Sequence, residues 1–244
     1  MTKTYTYTEI FENKKRVLFF PAHPDDILIF FGGLVNQLRK DGKEVFVVTV
    51  SNGARGSRDS IISEEELAKI RINEEIAGLE YLNVPKKNHM CLNYRDGEVE
   101  SNMKLIGEVV KYIRMFKPDI VCTHEPSLIY QGNSDGVGYW VQHRDHRKVG
   151  EAIIDASYPF SRDRSFFPEH AEEGLEPHAV YDLLLTEENG VNFKLDCTDE
   201  IEMKKSAMRL HKSQMDELFI DSVVGDMKED GRYMEYFKYV HLLW

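Results

Sequence analysis

Cysteine is scarce in this chain: Cys91, Cys122 and Cys197 are the only three in 244 residues. Three scattered thiols do not make a disulfide framework, and without a Cys-x-x-Cys pair they offer no thiolate metal site. This usage fits a reducing, cytoplasmic setting. Long apolar runs are missing as well. Residues 1–15 are polar and hold no signal-peptide core, and the most apolar early stretch, 27–35, is far too short to span a bilayer. Neither an internal repeat nor a low-complexity tract is found. Positive charge is in deficit, with a formal net charge of −11. That balance argues against nonspecific binding to nucleic acid or to an anionic membrane. The expected partner is a neutral or weakly charged small molecule, and homo-oligomerisation is left open.

What the chain does contain is a globular composition, 42% hydrophobic and 30% charged. Its length suffices for one large domain with a buried core and is short for two, so residues 1–244 are read as a single domain. Short apolar runs at 16–22, 44–51, 119–124 and 178–186 read as strands, with a shorter one at 90–92. Helical periodicity covers 27–40, 64–82, 102–116, 145–156 and 199–218. Residues 125–141 read as a long glycine-rich loop and 157–177 as an irregular polar stretch. Strands alternating with helices predict an α/β fold, Rossmann-like, with a mostly parallel sheet and helices on both faces. Ligands bind such sheets beyond the carboxyl ends of the strands. Polar clusters follow three of these strands, at 23–26, at 52–58 and from His124 onward.

The first cluster is His23-Pro24-Asp25-Asp26. A divalent metal takes neutral imidazole and carboxylate ligands and keeps a position open for water, while a further carboxylate can accept a proton from that water. These four residues supply every group required. A helix N-terminus also favours Asp, as a cap and through the dipole, so alone the cluster reads equally well as catalysis or as capping. The second cluster, His143-Arg144-Asp145-His146, puts two histidines on one helix face, which alone reads better as an exposed pair. Together the clusters offer two imidazoles and a carboxylate for a metal and leave another of each free.

The order of motifs resembles the PIG-L/LmbE-like family of zinc-dependent de-N-acetylases. The family's opening strand, Ala-His-Pro-Asp-Asp and helical Gly-Gly correspond to residues 16–26 and Gly32-Gly33. Arg71-Ile72-Asn73-Glu74, the segment Pro118–His124, His143–His146 and His211-Lys212-Ser213-Gln214 match later motifs in the same order, covering roughly residues 16–214. Ile27 stands where many members have Glu, Arg144 where they have Pro, and Asn83 where they have Gly. None of these removes a candidate metal ligand; Ile27, Arg144 and the long 125–141 loop bear on substrate identity.

The resemblance implies that His23, Asp26 and His146 bind the metal, zinc with ferrous iron as the alternative, and that Asp25 is the general base. It implies that His143 stabilises the oxyanion and that Asp145 orients a neighbouring histidine. Arg71 and Asp96 are candidates for substrate hydroxyls or a phosphate, against a surface pair with Glu74 and a turn Asp before Gly97. Tyr139 and Trp140 could stack on a sugar or simply pack. Arg55 and Arg58 read as solvated loop charges, His124 as lining the pocket, and His211 with Gln214 as structural support. The implied reaction is removal of an acetyl group from the nitrogen of an N-acetylglucosamine-type small molecule. The alternatives are a metal-dependent amidase on another N-acyl metabolite and an inactive carbohydrate-binding homologue.

Overall fold

The computed structural model describes residues 3–57, 62–132, 139–186 and 190–243; Arg58 lies outside them. In chain order the elements are α1 (Tyr7–Phe11), β1 (Arg16–Phe19), α2 (Asp26–Lys40), β2 (Glu44–Ser51), α3 (Glu64–Tyr81), β3 (His89–Tyr94), α4 (Met103–Phe116), β4 (Ile120–His124) and the hairpin β5 (Tyr130–Gly132) with β6 (Tyr139–Val141). Then follow α5 (Arg144–Asp155), α6 (Glu169–Glu172), β7 (Asp182–Thr186), β8 (Phe193–Asp196), α7 (Ile201–Met208), α8 (Glu217–Asp226), β9 (Lys228–Glu229) and β10 (Arg232–His241).

The main sheet runs β3-β2-β1-β4-β7-β10-β8. Its first five strands are parallel, and β10 lies antiparallel between β7 and β8. Successive side chains of a strand face opposite ways, and β1 feeds two cores. Val17 and Phe19 pack with α2, Leu79 and Met208, whereas Leu18 and Phe20 pack with α4 and α5. Burial on both faces is why the parallel strands read as continuous apolar runs. No helix among the described residues is long and apolar enough to cross a membrane.

Several segments differ from the sequence expectation. The stretch read as one helix over 199–218 is broken after Met208. α8 restarts with Asp216 as its cap, the carboxylate accepting from the Phe219 amide at 2.8 Å. The segment 125–141 carries the β5–β6 hairpin. Residues 157–177 gain order from the buried guanidinium of Arg114, which donates to the carbonyls of Phe160, Ser161, Asp163, Phe166 and Phe167 at 2.9–3.2 Å. A planar five-donor fork suits this work, and a lysine ammonium cannot copy it. Arg114→Met is expected to cost about 3 kcal/mol, and Arg114→Lys to recover only part. Urea midpoints of the three proteins provide the check; an unchanged midpoint in the Met variant would refute the role.

Candidate metal centre and active site

All the predicted site residues gather beyond the carboxyl ends of the parallel strands. After β1 the chain turns through His23, Pro24 and Asp25 into α2. Asp25 occupies the N-cap position, but its side chain makes no cap bond. Instead its Oδ1 accepts from Arg71 Nη2 at 2.6 Å, so the carboxylate is aimed across at α3. Asp26 sits at the centre of a group of imidazoles. Its Oδ2 accepts from the His23 amide at 2.8 Å and lies 3.2 Å from His23 Nδ1, 3.2 Å from His146 Nε2 and 3.4 Å from His124 Nε2.

His143 caps α5, with Nδ1 accepting from the Asp145 amide at 3.2 Å. That bond assigns the ring proton to Nε2. His146, one turn later, stacks on His124 with ring centroids 4.1 Å apart. Phe30 of α2 presents itself edge-on to both rings, at 5.6 and 5.7 Å.

The remaining candidates face His23 and Asp25. Asp96 Oδ1 and Asp145 Oδ2 lie 3.4 and 3.5 Å from His23 Nε2. Asp145 Oδ2 also accepts from the Gly97 amide at 2.7 Å, and Asp96 Oδ2 from the Arg55 amide at 3.0 Å. Arg71 is 3% exposed. Besides Asp25 it donates to the Gly53 carbonyl at 2.6 Å. Gly53 has φ +63°, and a Cβ there would meet Arg71 Cζ at 2.6 Å, so this position needs glycine twice over. The surface pair with Glu74 does not form in this geometry, because Glu74 accepts from Ser213. Tyr139 and Trp140 are 75% and 70% exposed rather than packed.

Four histidines and four carboxylates crowded together need charge compensation. Burial raises the pKa of Asp26, but His146 and His23 outweigh it and hold the carboxyl well below the usual range. For His23, burial pulls the pKa down, and Asp26, Asp145 and Asp96 push it well above the ordinary value. Burial followed by the neighbouring charges of His23 and His146 lowers His143. Asp96, despite burial, is held down at about 2, chiefly by His23.

A metal ion would supply the same compensation. Among the described residues three sets of donors, each with atoms within 4.8 Å of one another, could hold one: His23, His143 and His146; Asp26, His124 and His146; and His23, Asp96 and Asp145. His23 Nε2 is buried and makes no hydrogen bond among the described residues. Nitrogen and oxygen donors without thiolate suit zinc or ferrous iron. His124 enters this group by position; its signals in the sequence are its place at a strand end and at the close of the matched segment Pro118–His124. Phe30 carried no signal at all.

His211 lies behind Asp25, fully buried, and neither ring nitrogen finds a hydrogen-bond partner among the described residues. Burial lowers its pKa to about 4 against an opposing pull from Asp25. The unfolded chain protonates this ring below about pH 6.5, while the native ring stays neutral to about 4, so stability is withdrawn as pH falls through that window. Between pH 7 and pH 5 the loss is about 2 kcal/mol. His211→Met is expected to lose that much less in urea unfolding at the two pH values; equal losses in the two proteins would remove His211 as the cause.

Comparison with known proteins identifies the family. Residues 18–157 match the PIG-L family, described as GlcNAc-PI de-N-acetylase. A diacetylchitobiose deacetylase of Thermococcus kodakarensis is 32% identical over 213 residues, covering 87% of this chain and 75% of the relative. A 1D-myo-inositol 2-acetamido-2-deoxy-alpha-D-glucopyranoside deacetylase of Corynebacterium urealyticum is 28% identical over 180 residues, covering 63% of this chain and half of the relative. The solved N,N'-diacetylchitobiose deacetylase of Pyrococcus horikoshii superposes with a TM-score of 0.84 at 30% identity, over 96% of this chain and 86% of that one. The family match spans more than half of the sequence and includes both histidine clusters, and the chain therefore belongs to the PIG-L de-N-acetylase family.

Proposed function

We propose that this protein is a zinc-dependent hydrolase that removes the acetyl group from the nitrogen of an N-acetylglucosamine-type small molecule. The observation that carries this reading is the division of labour between two adjacent carboxylates. Asp26 points among imidazoles, as a metal ligand must, and Asp25 points away to Arg71, as a base held outside the ligand set must. His23, Asp26 and His146 would hold the ion, which when bound supplies a nucleophile at neutral pH and polarises an amide carbonyl. Asp25 takes the proton of the attacking water and returns it to the leaving amine. Arg71, committed to Asp25 and Gly53, keeps the carboxylate aimed and acts as a positioning residue. The uncharged ring of His143, with its proton on Nε2, donates to the oxygen on which charge develops. Asp96 and Asp145, whose oxygens lie 3.4 and 3.5 Å from His23 Nε2, supply negative charge beside the ion. The deacetylase activities of the relatives support the substrate class.

The same reading takes the 244 residues as one de-N-acetylase domain, supported by a single main sheet that reaches from β3 to β8. Three free cysteines support a cytoplasmic setting. The test is metal analysis of the purified protein combined with an acetate-release screen over N-acetylated amino sugars. Stoichiometric metal with acetate release from N-acetylglucosamine compounds is expected. Release only from other N-acyl compounds would move the protein to a general amidase, and bound metal with no release from any compound would make it a binding protein.

A further inference from the structure

A buried charge pair, Lys204 with Glu235, lies outside the histidine–carboxylate site. Lys204 of α7 and Glu235 of β10 are 0% and 3% exposed. Lys204 Nζ donates to Glu235 Oε1 at 2.8 Å and to the Ile29 carbonyl at 2.6 Å. Glu235 in turn accepts from the backbone amides of Gly33 and Leu34, at 2.7 Å through Oε1 and 2.9 Å through Oε2. Gly33 and Leu34 lie in the middle of α2, where amides ordinarily bond the carbonyls of Ile29 and Phe30. The ion pair thus engages both ends of one ladder position, the Ile29 carbonyl and the Gly33 amide, and side chains inserted there redirect a helix. The Gly32-Gly33 pair makes the approach possible. A Cβ at residue 32 would meet Lys204 Cγ at 3.0 Å, and one at residue 33 would meet Cys197 Cβ at 2.6 Å and Glu235 Cδ at 3.1 Å.

The part of α2 that precedes this point carries Asp26 and Phe30, the first lodged among the site imidazoles and the second set edge-on against His124 and His146. A cavity of about 210 Å³ opens beside Ile29 and Phe30, walled also by Lys204, Met227, Glu235 and Tyr236. A buried ion pair is a poor source of net stability compared with apolar residues of the same volume. What the pair does supply is a fixed fork on two amides and a carbonyl.

We propose that Lys204 and Glu235 are positioning residues that hold the first turn of α2, and through it Asp26, in the geometry needed for metal binding. This rests on the metal-centre reading above. The test measures zinc affinity by chelator competition in wild type, Glu235→Gln and the double variant Lys204→Met/Glu235→Gln, which removes both charges and leaves an amide to meet the helix. Each protein is assayed well below its unfolding midpoint. The variants are expected to bind zinc about 10- to 100-fold more weakly, while Arg114→Met, destabilised elsewhere, keeps wild-type affinity. Wild-type affinity in a folded Glu235→Gln or double variant overturns the proposal. Should neither variant fold, hydrogen exchange in the wild type decides: because coupling is reciprocal, zinc must slow exchange at the Gly33 and Leu34 amides, and unchanged rates overturn the proposal. A wild-type protein that binds no zinc sinks the metal-centre reading itself, which is a separate result.

Discussion

Asp25→Asn is expected to keep its fold and its metal and to release acetate at least about a hundredfold more slowly. The amide matches the carboxylate in shape but cannot accept a proton from water, so the loss belongs to kcat. Asp25 is well placed for the test because its structural duties are few. It makes no side-chain cap bond to α2, and among the described residues its side chain accepts one hydrogen bond, the 2.6 Å contact from Arg71. An Asn oxygen can still accept there, although the buried guanidinium then loses its counter-charge. The variant should therefore melt somewhat lower, by about 1–3 kcal/mol. Arg71→Met gives the complementary result: Asp25 remains chemically competent but is no longer aimed, and kcat falls less than in Asp25→Asn. Metal content by mass spectrometry and acetate release on the same samples provide the check. Near-normal turnover in a metal-replete Asp25→Asn protein would leave Asp25 as no more than the partner of Arg71.

The parts of the fold that were legible in the sequence are those whose neighbours leave a local trace. β2 is buried along nearly its whole length and reads as an unbroken apolar run. β1 was read through residue 22 but ends at Phe19, with Pro21 unable to donate to a ladder. β10 left no such trace, because its run from Arg232 to His241 interleaves Glu235 and Lys238 with aromatics. Glu235 is an inward charge whose partners, Gly33, Leu34 and Lys204, lie about 200, 200 and 30 residues away in sequence, as the separations of 202, 201 and 31 state. Spacing also brought out the residue types of the site better than their connections. Arg71 and Asp96 were read toward the substrate, yet the guanidinium is spent on Asp25 and Gly53 and the carboxylate faces His23. Such pairings are properties of strands brought side by side, which no local pattern encodes.

His146→Ala is expected to lower zinc affinity about a hundredfold or more, and His124→Ala only about tenfold. The first figure follows from sharing a zinc-binding free energy of about 10–16 kcal/mol among the three ligands, roughly 3–5 kcal/mol each. The second is the low end of the range for residues that support ligands without being one. The two rings are stacked 4.1 Å apart and both approach Asp26 Oδ2, at 3.2 Å for His146 and 3.4 Å for His124. Distance alone hardly separates them. Two further observations do. His146 belongs to two of the three candidate donor sets and His124 to one, so removing His146 breaks both arrangements at once. His124 Nε2 also accepts from the Ala22 amide at 3.1 Å, which engages the lone pair a metal would need and ties β4 to the segment leading into His23. His124→Ala should thus loosen the approach of His23 while leaving the ligand set whole, and excess zinc should restore its acetate release. Excess zinc should not restore that of His146→Ala. Chelator competition and acetate release across a zinc titration distinguish the two rings. Equal losses of affinity would dissolve the distinction, and a larger loss in His124→Ala would make His124 the ligand in place of His146.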